Sequence, residues 1–384
     1  MHLESYFRAN FPIISFDFVA RIRRLTQAAE QSFTTQKDSI FQRKILKRID
    51  VAVLGATGRV GLEYLEMLKS HPWFRVVAAT GNTKVGMKLG EVAPDLPSQM
   101  RSIEIKDSDP SKVEADLVFS PLPTTVARET EAKFAEDGFR VVTDASPHRM
   151  DATVPLMIPE VNPNHLKLIA SRLKKKEGFI VATPNCTTIG LAMTLKPLND
   201  AFSLNKVVMT SFQALSGAGY PGVSSLDIQE NVIPFISGEE EKVTAETNKI
   251  LGSAERGEIT STSIPVFCSC NRVAVLDGHL ESVYLETKKE IKDPEDILSS
   301  FKGAPQRLKL PSAPKYPIVL RKEVDRPQPR LDRMEGNGMS TVVGRVRQSG
   351  KHVLQYHLLS HNTIRGAAGG AILTAELLCK KYDI

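Results

Sequence analysis

The chain has 384 residues, of which 41% are hydrophobic and 24% charged, and this composition excludes a wholly disordered or fibrous protein. At roughly 150 residues per domain, the length predicts two to three domains. The net charge of +6 is not arranged in a basic stripe interleaved with aromatic residues, so nucleic acid is not an expected partner.

The number of cysteines and the hydropathy exclude further classes of protein. Four cysteines in a chain of this length are too few for a disulfide framework, and they indicate a reducing, cytoplasmic location. Cys268 and Cys270 are separated by a single residue, which does not suit a zinc pair, so no metal is expected. The longest stretch without a charge, 207–226, is rich in Ser, Gly, Gln and Pro, so no membrane span is predicted.

Residues 1–48 differ in their sequence pattern from the rest of the chain. Apolar residues recur at helical spacing from Ile14 to Ala29, close to a cluster of arginines, as in an organelle transit peptide. Such peptides avoid acidic residues, and this segment contains Glu4, Asp17 and Glu30. The preferred interpretation is a poorly ordered extension or a misplaced start codon, with organelle targeting as the lesser alternative.

Strands that alternate with helical stretches predict an α/β fold with a doubly wound parallel sheet in the first half of the chain. After the first strand, Val60, Tyr64 and Leu68 share one face of a helix. The predicted strands cover residues 49–54, 75–79, 115–119 and 140–143, and a further strand runs up to residue 182.

The turn between the first strand and the first helix carries Gly55, Gly58 and Gly61. Glycines at such a turn let the backbone approach a pyrophosphate, which the helix N-terminus attracts. The spacing is GxxGxxG, not the commoner GxGxxG, but the flanking strand and helix favour dinucleotide binding over an ordinary tight turn. The second strand ends in Thr80–Lys84 without the acid that binds the ribose of NAD, and Lys84 suits the 2′-phosphate of NADP.

Longer strands predict a second, α+β domain from about residue 185. These strands cover 206–212, 282–287 and 339–346, with a Pro-rich connector over 310–330. Asp277-Gly278 is typical of a hairpin turn. The chain closes with a helix in which Ile364, Ala368 and Ala371 share a face.

A second motif, Thr183-Pro184-Asn185-Cys186-Thr187, places a cysteine where a strand gives way to a helix. A helix N-terminus lowers the pKa of a thiol, and the thiolate is the reactive form. Cys186 is therefore a candidate nucleophile, with a buried structural cysteine as the alternative. We expect backbone N–H groups at this helix start to receive an oxyanion.

Several longer motifs together make the chain, from about residue 49 to its end, resemble the aspartate-β-semialdehyde dehydrogenase family, in its archaeal and fungal branch. They lie at 55–58 (GATG), 184–188 (PNCTT), 213–220, 245–249, 270–273, 277–279, 326–333 and 361–369. The resemblance implies a Rossmann-like NADP-binding domain (49–184 with 361–384) and an α+β catalytic and dimerisation domain with a large mixed sheet (185–360). It also implies a homodimer or homotetramer that acts on small molecules, with 1–48 outside the family pattern.

The resemblance assigns roles residue by residue. The catalytic residues are Cys186 as nucleophile, His279 as general acid/base and Gln213 as the residue that orients the acyl group. The substrate contacts are Arg272 for the α-carboxylate, Glu246 for the ammonium, Arg149 and Lys249 for the phosphate, and Asn185 beside the cysteine. The cofactor contacts are Gly55, Thr57, Gly58, Arg59, Val60, Thr83, Lys84, Ser120, Ser216, Gly217 and Asn362, the last near the nicotinamide amide.

The implied reaction is the reduction of β-aspartyl phosphate by NADPH through a cysteine thioester, a step of lysine, methionine and threonine biosynthesis. One alternative is a related acyl reductase such as a malonyl-CoA reductase, against which Asn185 and Glu246 favour an amino-acid substrate. The other is a non-catalytic NADP-binding relative, which should have lost the thiol or the base. At the level of single residues, Glu246 and Lys249 could form a simple helix salt bridge, and His279 could be structural.

Overall fold

The structure, a computed structural model, describes residues 48–255 and 257–383. The predicted extension, apart from Arg48, lies outside the described residues, and so does the question of organelle targeting. Within the described ranges, no helix is both long enough and apolar enough to cross a membrane.

Six parallel strands form the first sheet: β1 (Ile49–Val53), β2 (Phe74–Thr80), β3 (Ile105–Lys106), β4 (Leu117–Ser120), β5 (Arg140–Thr143) and β6 (Phe179–Ala182). Their order is β3-β2-β1-β4-β5-β6. All four residues of β4 are buried, because helices cover a parallel sheet on both faces. The order reverses between β1 and β4, so a crevice opens at their carboxyl ends, where such folds bind ligands.

The helices of this half are amphipathic or short. They are α1 (Arg59–Leu68), α2 (Leu89–Val92), α3 (Ser98–Arg101), α4 (Thr124–Glu136) and α5 (Ala170–Lys175), with 3₁₀-helices at Pro110–Lys112 and Pro163–Ile169. Helix α1 buries Tyr64, Leu65 and Leu68. This spacing of three and four residues gives the helix one apolar face against the sheet.

A mixed sheet forms the second half: β7 (Leu204–Gln213), β10 (Val266–Arg272), β11 (His279–Thr287), β12 (Ile318–Arg321), β13 (Thr341–Ser349) and β14 (Val353–Ser360). The strand order is β10-β7-β11-β14-β13-β12, and a separate hairpin pairs β8 (Ser253–Glu255) with β9 (Glu258–Thr260). Burial along β11 alternates residue by residue, which places His279 and Glu281 on the buried face.

Two of the remaining helices position the site. They are α6 (Cys186–Phe202) and α8 (Glu239–Ile250), and the others are α7 (Ser225–Ile228), α9 (Pro294–Ser299), α10 (Ala304–Leu308), α11 (Pro329–Asp332) and α12 (Gly369–Tyr382). A 3₁₀-helix spans Leu215–Ala218 and a π-helix spans Ile364–Ala368. Helix α12 packs on the first sheet, since Ala371 and Ile372 share a core cluster with Val51 and Phe119.

The parallel and mixed sheets confirm the predicted fold, while the proposed domain boundaries stay a prediction. Two local predictions are wrong. The connector over 310–330 contains β12, which pairs in parallel with β13 at the edge of the sheet. Asp277-Gly278 is not a hairpin turn, because β7 lies between β10 and β11 and the chain must cross it.

A fully buried ion pair anchors the π-helix. Arg365 donates from Nη1 and Nη2 to the two carboxylate oxygens of Glu160, at 2.9 and 2.7 Å. Both side chains are at most 1% exposed. Such a pair is desolvated at considerable cost, and the bidentate geometry offsets that cost only while both partners are present.

We expect Glu160→Gln to lower the free energy of unfolding by about 3–5 kcal/mol, because it leaves the Arg365 charge buried and unpaired. Urea denaturation followed by circular dichroism measures the change. The matched control is Asp200→Asn, which breaks the exposed pair of Asp200 with Lys196 and should cost less than about 1 kcal/mol. Equal losses in the two variants would contradict the assignment.

Candidate active site

Cys186 lies at the first position of α6, just after β6 ends at Ala182. Asn185 caps this helix, since its Oδ1 accepts from the backbone N–H groups of Thr187 at 2.8 Å and Thr188 at 3.3 Å. The N–H groups of Thr187 and Thr188 are therefore used by the cap, so the expectation that N–H groups at this helix start receive an oxyanion applies to the backbone N–H of Cys186 and stays a prediction. The side chain of Asn185 is held by these contacts and by Glu239, and its predicted contact with the substrate stays a prediction.

His279 lies at the start of β11, with its Nε2 at 3.2 Å from Sγ of Cys186. Its Nδ1 accepts from the backbone N–H of Ala214 at 3.1 Å. A backbone N–H can only donate, so the neutral ring carries its proton on Nε2. In this tautomer His279 can donate a hydrogen bond toward the sulfur, which supports the donor half of the predicted acid/base role.

Burial shifts the pKa values of the thiol and of the imidazole in the directions that favour their uncharged forms. Desolvation, followed by the Glu239 carboxylate, raises the pKa of Cys186 to about 12 against the opposing effects of Arg149 and Arg272. Desolvation, helped by Arg272, lowers the pKa of His279 to about 3. The helix N-terminus was expected to lower the pKa of this thiol, and desolvation of the sulfur acts in the opposite direction.

Glu246 lies on α8 and is 1% exposed. One of its carboxylate oxygens accepts from Nη1 of Arg149 at 3.0 Å, and the other accepts from the backbone N–H of Asn185 at 2.6 Å. Glu246 and Lys249 therefore do not form the simple helix salt bridge that was the alternative interpretation. The predicted ammonium ligand and the predicted phosphate ligand Arg149 are partners of each other.

Lys249 is 2% exposed and is committed to the loop that carries Arg149. Its Nζ donates to the backbone carbonyls of Arg149, Asp151 and Val154 at 2.6, 2.8 and 3.0 Å. An ammonium has three N–H groups, so all of them are used. The prediction that Lys249 binds phosphate directly is not supported by this geometry, because the ammonium holds the loop instead.

Arg272 ends β10 and lies close enough to the catalytic pair to affect the pKa values of both Cys186 and His279. Its Nη1 donates to the carbonyl of Ala214 at 2.6 Å. Gly217 allows this approach, since a Cβ there would lie 3.1 Å from that nitrogen and 3.2 Å from Cε1 of His279. A side chain at 217 would displace one of the two site residues.

Glu239 is a site residue that the sequence analysis missed. Its Oε1 accepts from Nδ2 of Asn185 at 2.9 Å and from Nε2 of Gln213 at 3.0 Å. The sequence could have indicated Glu239 through its spacing from Glu246. Glu239 precedes Glu246 by two helical turns, so both lie on the same face of α8. Positions 240 and 241 are also glutamates, so the sequence alone does not distinguish Glu239 from its neighbours.

Asn362 ties the C-terminal segment to the catalytic turn. Its Oδ1 accepts from the backbone N–H of Gly278 at 2.8 Å, and its Nδ2 donates to Oγ of Ser216 at 2.8 Å. Two residues predicted to contact the cofactor, Ser216 and Asn362, are therefore brought together beside His279.

The glycine turn has the shape of a pyrophosphate cradle. Gly55 has a φ of +63°, and a Cβ added at Gly61 would lie 2.3 Å from the carbonyl oxygen of Gly55. Gly58 starts α1, whose first turn contains no acid, so the N-terminal N–H groups face the crevice without a competing negative charge. Thr57 and Val60 complete this turn, and both are half-buried.

The other predicted cofactor residues divide into accessible and inaccessible ones. Thr83 is exposed and Lys84 half-buried in the loop that follows β2. Arg59 lies at the crevice between Glu63 and Asp277, at 3.7 and 3.6 Å. The structure corrects the prediction that the Ser120 side chain contacts the cofactor. Ser120 is fully buried, and its hydroxyl donates to Glu131 at 2.6 Å, so that hydroxyl does not donate to a cofactor.

Among the residues that the structure describes, no cluster of His, Cys, Asp and Glu side chains could hold a metal ion. The site described above combines the thiol of Cys186 and the imidazole of His279 with the charged groups of Arg149, Arg272, Glu239, Glu246 and Lys249.

Comparisons with known proteins match both halves of the chain. Residues 50–169 match the family model of the semialdehyde dehydrogenase NAD binding domain, and residues 195–365 match the semialdehyde dehydrogenase dimerisation domain. An aspartate-semialdehyde dehydrogenase from Archaeoglobus fulgidus is 51% identical over 88% of this chain and 100% of that protein. A malonyl CoA reductase (NADP) from Metallosphaera sedula is 41% identical over 87% of this chain and 98% of that protein.

The fold is also similar to a solved structure. The crystal structure of aspartate semialdehyde dehydrogenase with NADP from Candida albicans has a TM-score of 0.81 and 37% identity, and covers 88% of this chain and 100% of that one.

Alkylation of Cys186 by iodoacetamide should accelerate about tenfold per pH unit between about pH 6 and pH 9, because the thiolate is formed only by ionisation of a thiol whose pKa is raised to about 12. Mass spectrometry of the Cys186 peptide measures the rate. The pKa of His279 is about 3, so no imidazolium supports the thiolate in this range. A rate plateau from about pH 5 to 8 that disappears in His279→Asn would contradict this and show an ion pair.

Proposed function

The chain belongs to the semialdehyde dehydrogenase family, and we propose that it catalyses the NADPH-dependent reductive dephosphorylation of β-aspartyl phosphate to aspartate β-semialdehyde. It is an NADP-dependent oxidoreductase of the aspartate-semialdehyde dehydrogenase class. The observation that carries the proposal is the Cys186–His279 pair with two buried arginines, Arg149 and Arg272, near the thiol. An amino-acid acyl phosphate offers one electrophilic carbonyl and two anionic groups, which match these residues.

The crevice fits the cofactor, because the glycine turn leaves the room that a side chain would fill. Gly55, Gly58 and the N-terminal N–H groups of α1 would hold the pyrophosphate, and Lys84 with Thr83 would hold the 2′-phosphate. When bound, NADPH supplies a hydride to the carbonyl carbon of the substrate. The relative from Candida albicans was solved with NADP, which supports the same cofactor here.

In the first chemical step Cys186 attacks the acyl carbonyl. The new S–C bond forms as the C–O bond to phosphate breaks, and the thiol proton leaves with the basic phosphate oxygen. Arg272 would hold the α-carboxylate through its planar guanidinium, and Arg149 would hold the phosphate. Attack by the neutral thiol with proton loss to the leaving group agrees with the high pKa of Cys186.

After reduction, the tetrahedral species collapses by breaking the C–S bond. The departing sulfur and the aldehyde oxygen both need a hydrogen-bond donor, and Nε2–H of His279 lies 3.2 Å from the sulfur. The Ala214 N–H keeps the ring in this donor tautomer. His279 thus stabilises negative charge as a neutral donor, and solvent supplies the proton that restores the thiol.

A malonyl-CoA reductase is the alternative function, favoured by the relative from Metallosphaera sedula. Its substrate carries a carboxylate and a thioester but no ammonium group. The side chain of Asn185 caps α6, and its preference for an amino-acid substrate stays a prediction. The carboxylate of Glu246 favours the amino-acid substrate, because a buried carboxylate next to Asn185 and Arg149 suits a substrate that carries an ammonium group.

We also propose that the chain forms a homodimer or homotetramer in the cytoplasm. The match of 195–365 to a dimerisation domain supports association through the mixed sheet, whose outer face exposes Val208 and Phe267. The four cysteines, all free, agree with a reducing compartment.

Reduction of NADP⁺ tests the function directly. We expect turnover with aspartate β-semialdehyde plus phosphate and at least tenfold less with malonate semialdehyde plus coenzyme A. Cys186→Ser should abolish nearly all turnover and keep NADP binding, because a hydroxyl is a poor nucleophile at this pH. Activity of the serine variant within about tenfold of wild type, a barrier change of only ~1.4 kcal/mol, would exclude Cys186 as the nucleophile.

Glu246→Gln should lower kcat/KM for aspartate β-semialdehyde by about 30-fold or more, since truncating one member of a desolvated ion pair costs ~2–5 kcal/mol. Binding of NADP, measured by fluorescence titration, should be unchanged, because Glu246 lies on α8 and not in the glycine turn.

A substrate lacking the amino group separates the two roles of Glu246. If this carboxylate binds the ammonium, wild type and Glu246→Gln should use the deaminated substrate about equally. An equal loss with both substrates would show that Glu246 acts only by holding Arg149, through the 3.0 Å contact described above. The preference for an amino-acid substrate would then need another residue.

A further inference from the structure

Glu239 is the first residue of α8, is 6% exposed and contacts three groups around the nucleophile. Its Oε1 accepts from Nδ2 of Asn185 at 2.9 Å, from Oγ1 of Thr187 at 3.3 Å and from Nε2 of Gln213 at 3.0 Å. Asn185 and Thr187 flank Cys186 in the chain, and Gln213 ends β7. One carboxylate oxygen therefore joins the helix that carries the thiol to the strand that faces it.

We propose that Glu239 is a positioning residue for the reaction at Cys186, which holds the α6 start and the Gln213 amide in the geometry that the acyl group requires. The inference rests on the proposed function. Gln213 can orient an acyl carbonyl only if its own amide is held, and its Nε2 is held by Glu239 and by Oγ of Ser211 at 3.3 Å. Hydrogen bonds to a carboxylate are stronger than those to a neutral acceptor, so this hold is a firm one.

The position of Glu239 has an electrostatic cost at the nucleophile. After desolvation, its negative charge is the largest factor that raises the pKa of the Cys186 thiol, while Arg149 and Arg272 act in the opposite direction. A carboxylate at this place disfavours the thiolate, so activation of the thiol does not explain its presence. The contacts to Asn185 and Gln213 give the reason for its presence, which is orientation and not activation of the thiol.

A second acid near Glu239 does not share its hydrogen-bond partners. Glu281 on β11 is fully buried, and neither of its carboxylate oxygens has a hydrogen-bond partner within the described residues. Desolvation, and then the charge of Glu239, raise the pKa of Glu281 well above its ordinary value. A negative charge is therefore disfavoured on Glu281. The polar groups around the thiol, Asn185, Thr187 and Gln213, donate to Glu239 instead.

The test compares Glu239→Gln with Glu239→Asp in the full-length protein. Glu239→Gln removes the charge and weakens all three contacts, so kcat for aspartate β-semialdehyde should fall at least about tenfold, while KM for NADP stays unchanged. The pH profile of Cys186 alkylation by iodoacetamide should move to lower pH, because a negative charge beside the thiol is lost. Glu239→Asp keeps the charge but not the reach, so kcat should fall with no shift of the alkylation profile.

Glu240→Gln is the matched control, since it makes the same change at the next position of α8. Glu240 accepts from the backbone N–H of Cys270 at 3.0 Å and is not among the groups that shift the pKa of Cys186. Both kcat and the alkylation profile should stay at wild-type values. In the double variant with Gln213→Ala, the loss of kcat from Glu239→Gln should be smaller than in the wild-type background, because both changes affect one interaction.

Two results would overturn the proposal: wild-type kcat in Glu239→Asp, or fully additive losses in the double variant. If Glu239→Gln fails to fold, Glu239→Asp still decides the question through kcat. A wild-type protein inactive on aspartate β-semialdehyde would refute the proposed function, whereas an active wild type with undiminished kcat in Glu239→Asp would refute the role of Glu239.

Discussion

The contact of 3.2 Å between Sγ of Cys186 and Nε2 of His279 is the constraint on which the rest of the structure depends. Cys186 begins helix α6 and His279 begins strand β11, so the contact requires the first residues of these two elements to meet. Asn185 fixes one side by capping α6, and Asn362 fixes the other by accepting from the N–H of Gly278. The lack of a side chain at Gly217 lets the segment after β7 close over the pair.

Desolvation around this contact determines where charge can be held. Moving an ion out of water costs several kcal/mol, so each buried charge in the site has specific partners. Arg149 is paired with Glu246, and Lys249 is bound by three backbone carbonyls. The same surroundings favour the uncharged forms of the thiol and the imidazole. Positive charge is thus held on the Lys249 ammonium and on the guanidinium groups of Arg149 and Arg272, and the planar guanidinium groups suit the anionic groups of the proposed substrate.

The sequence predicts which side chains belong to the site better than it predicts which groups those side chains contact. Cys186, His279 and Arg272 do come together, as their motifs predicted. Lys249 and Ser120 were predicted to bind ligands, but their polar atoms are used inside the protein. A motif records that a polar side chain belongs at a position. It does not record whether backbone carbonyls or a neighbouring carboxylate surround that side chain, because those groups come from distant parts of the chain.

The sequence by itself determined the parallel sheet, the glycine turn and the helix that starts at Cys186, because these depend on local periodicity and on residues close in the chain. Tertiary structure alone decided the crossing between β10 and β11, the tautomer of His279 and the role of Glu239. Each of these depends on groups that are far apart in sequence, such as the Ala214 N–H against the His279 ring. Local propensity contains no information on such contacts, and burial, which sets the pKa of the thiol, exists only once the two sheets have packed together.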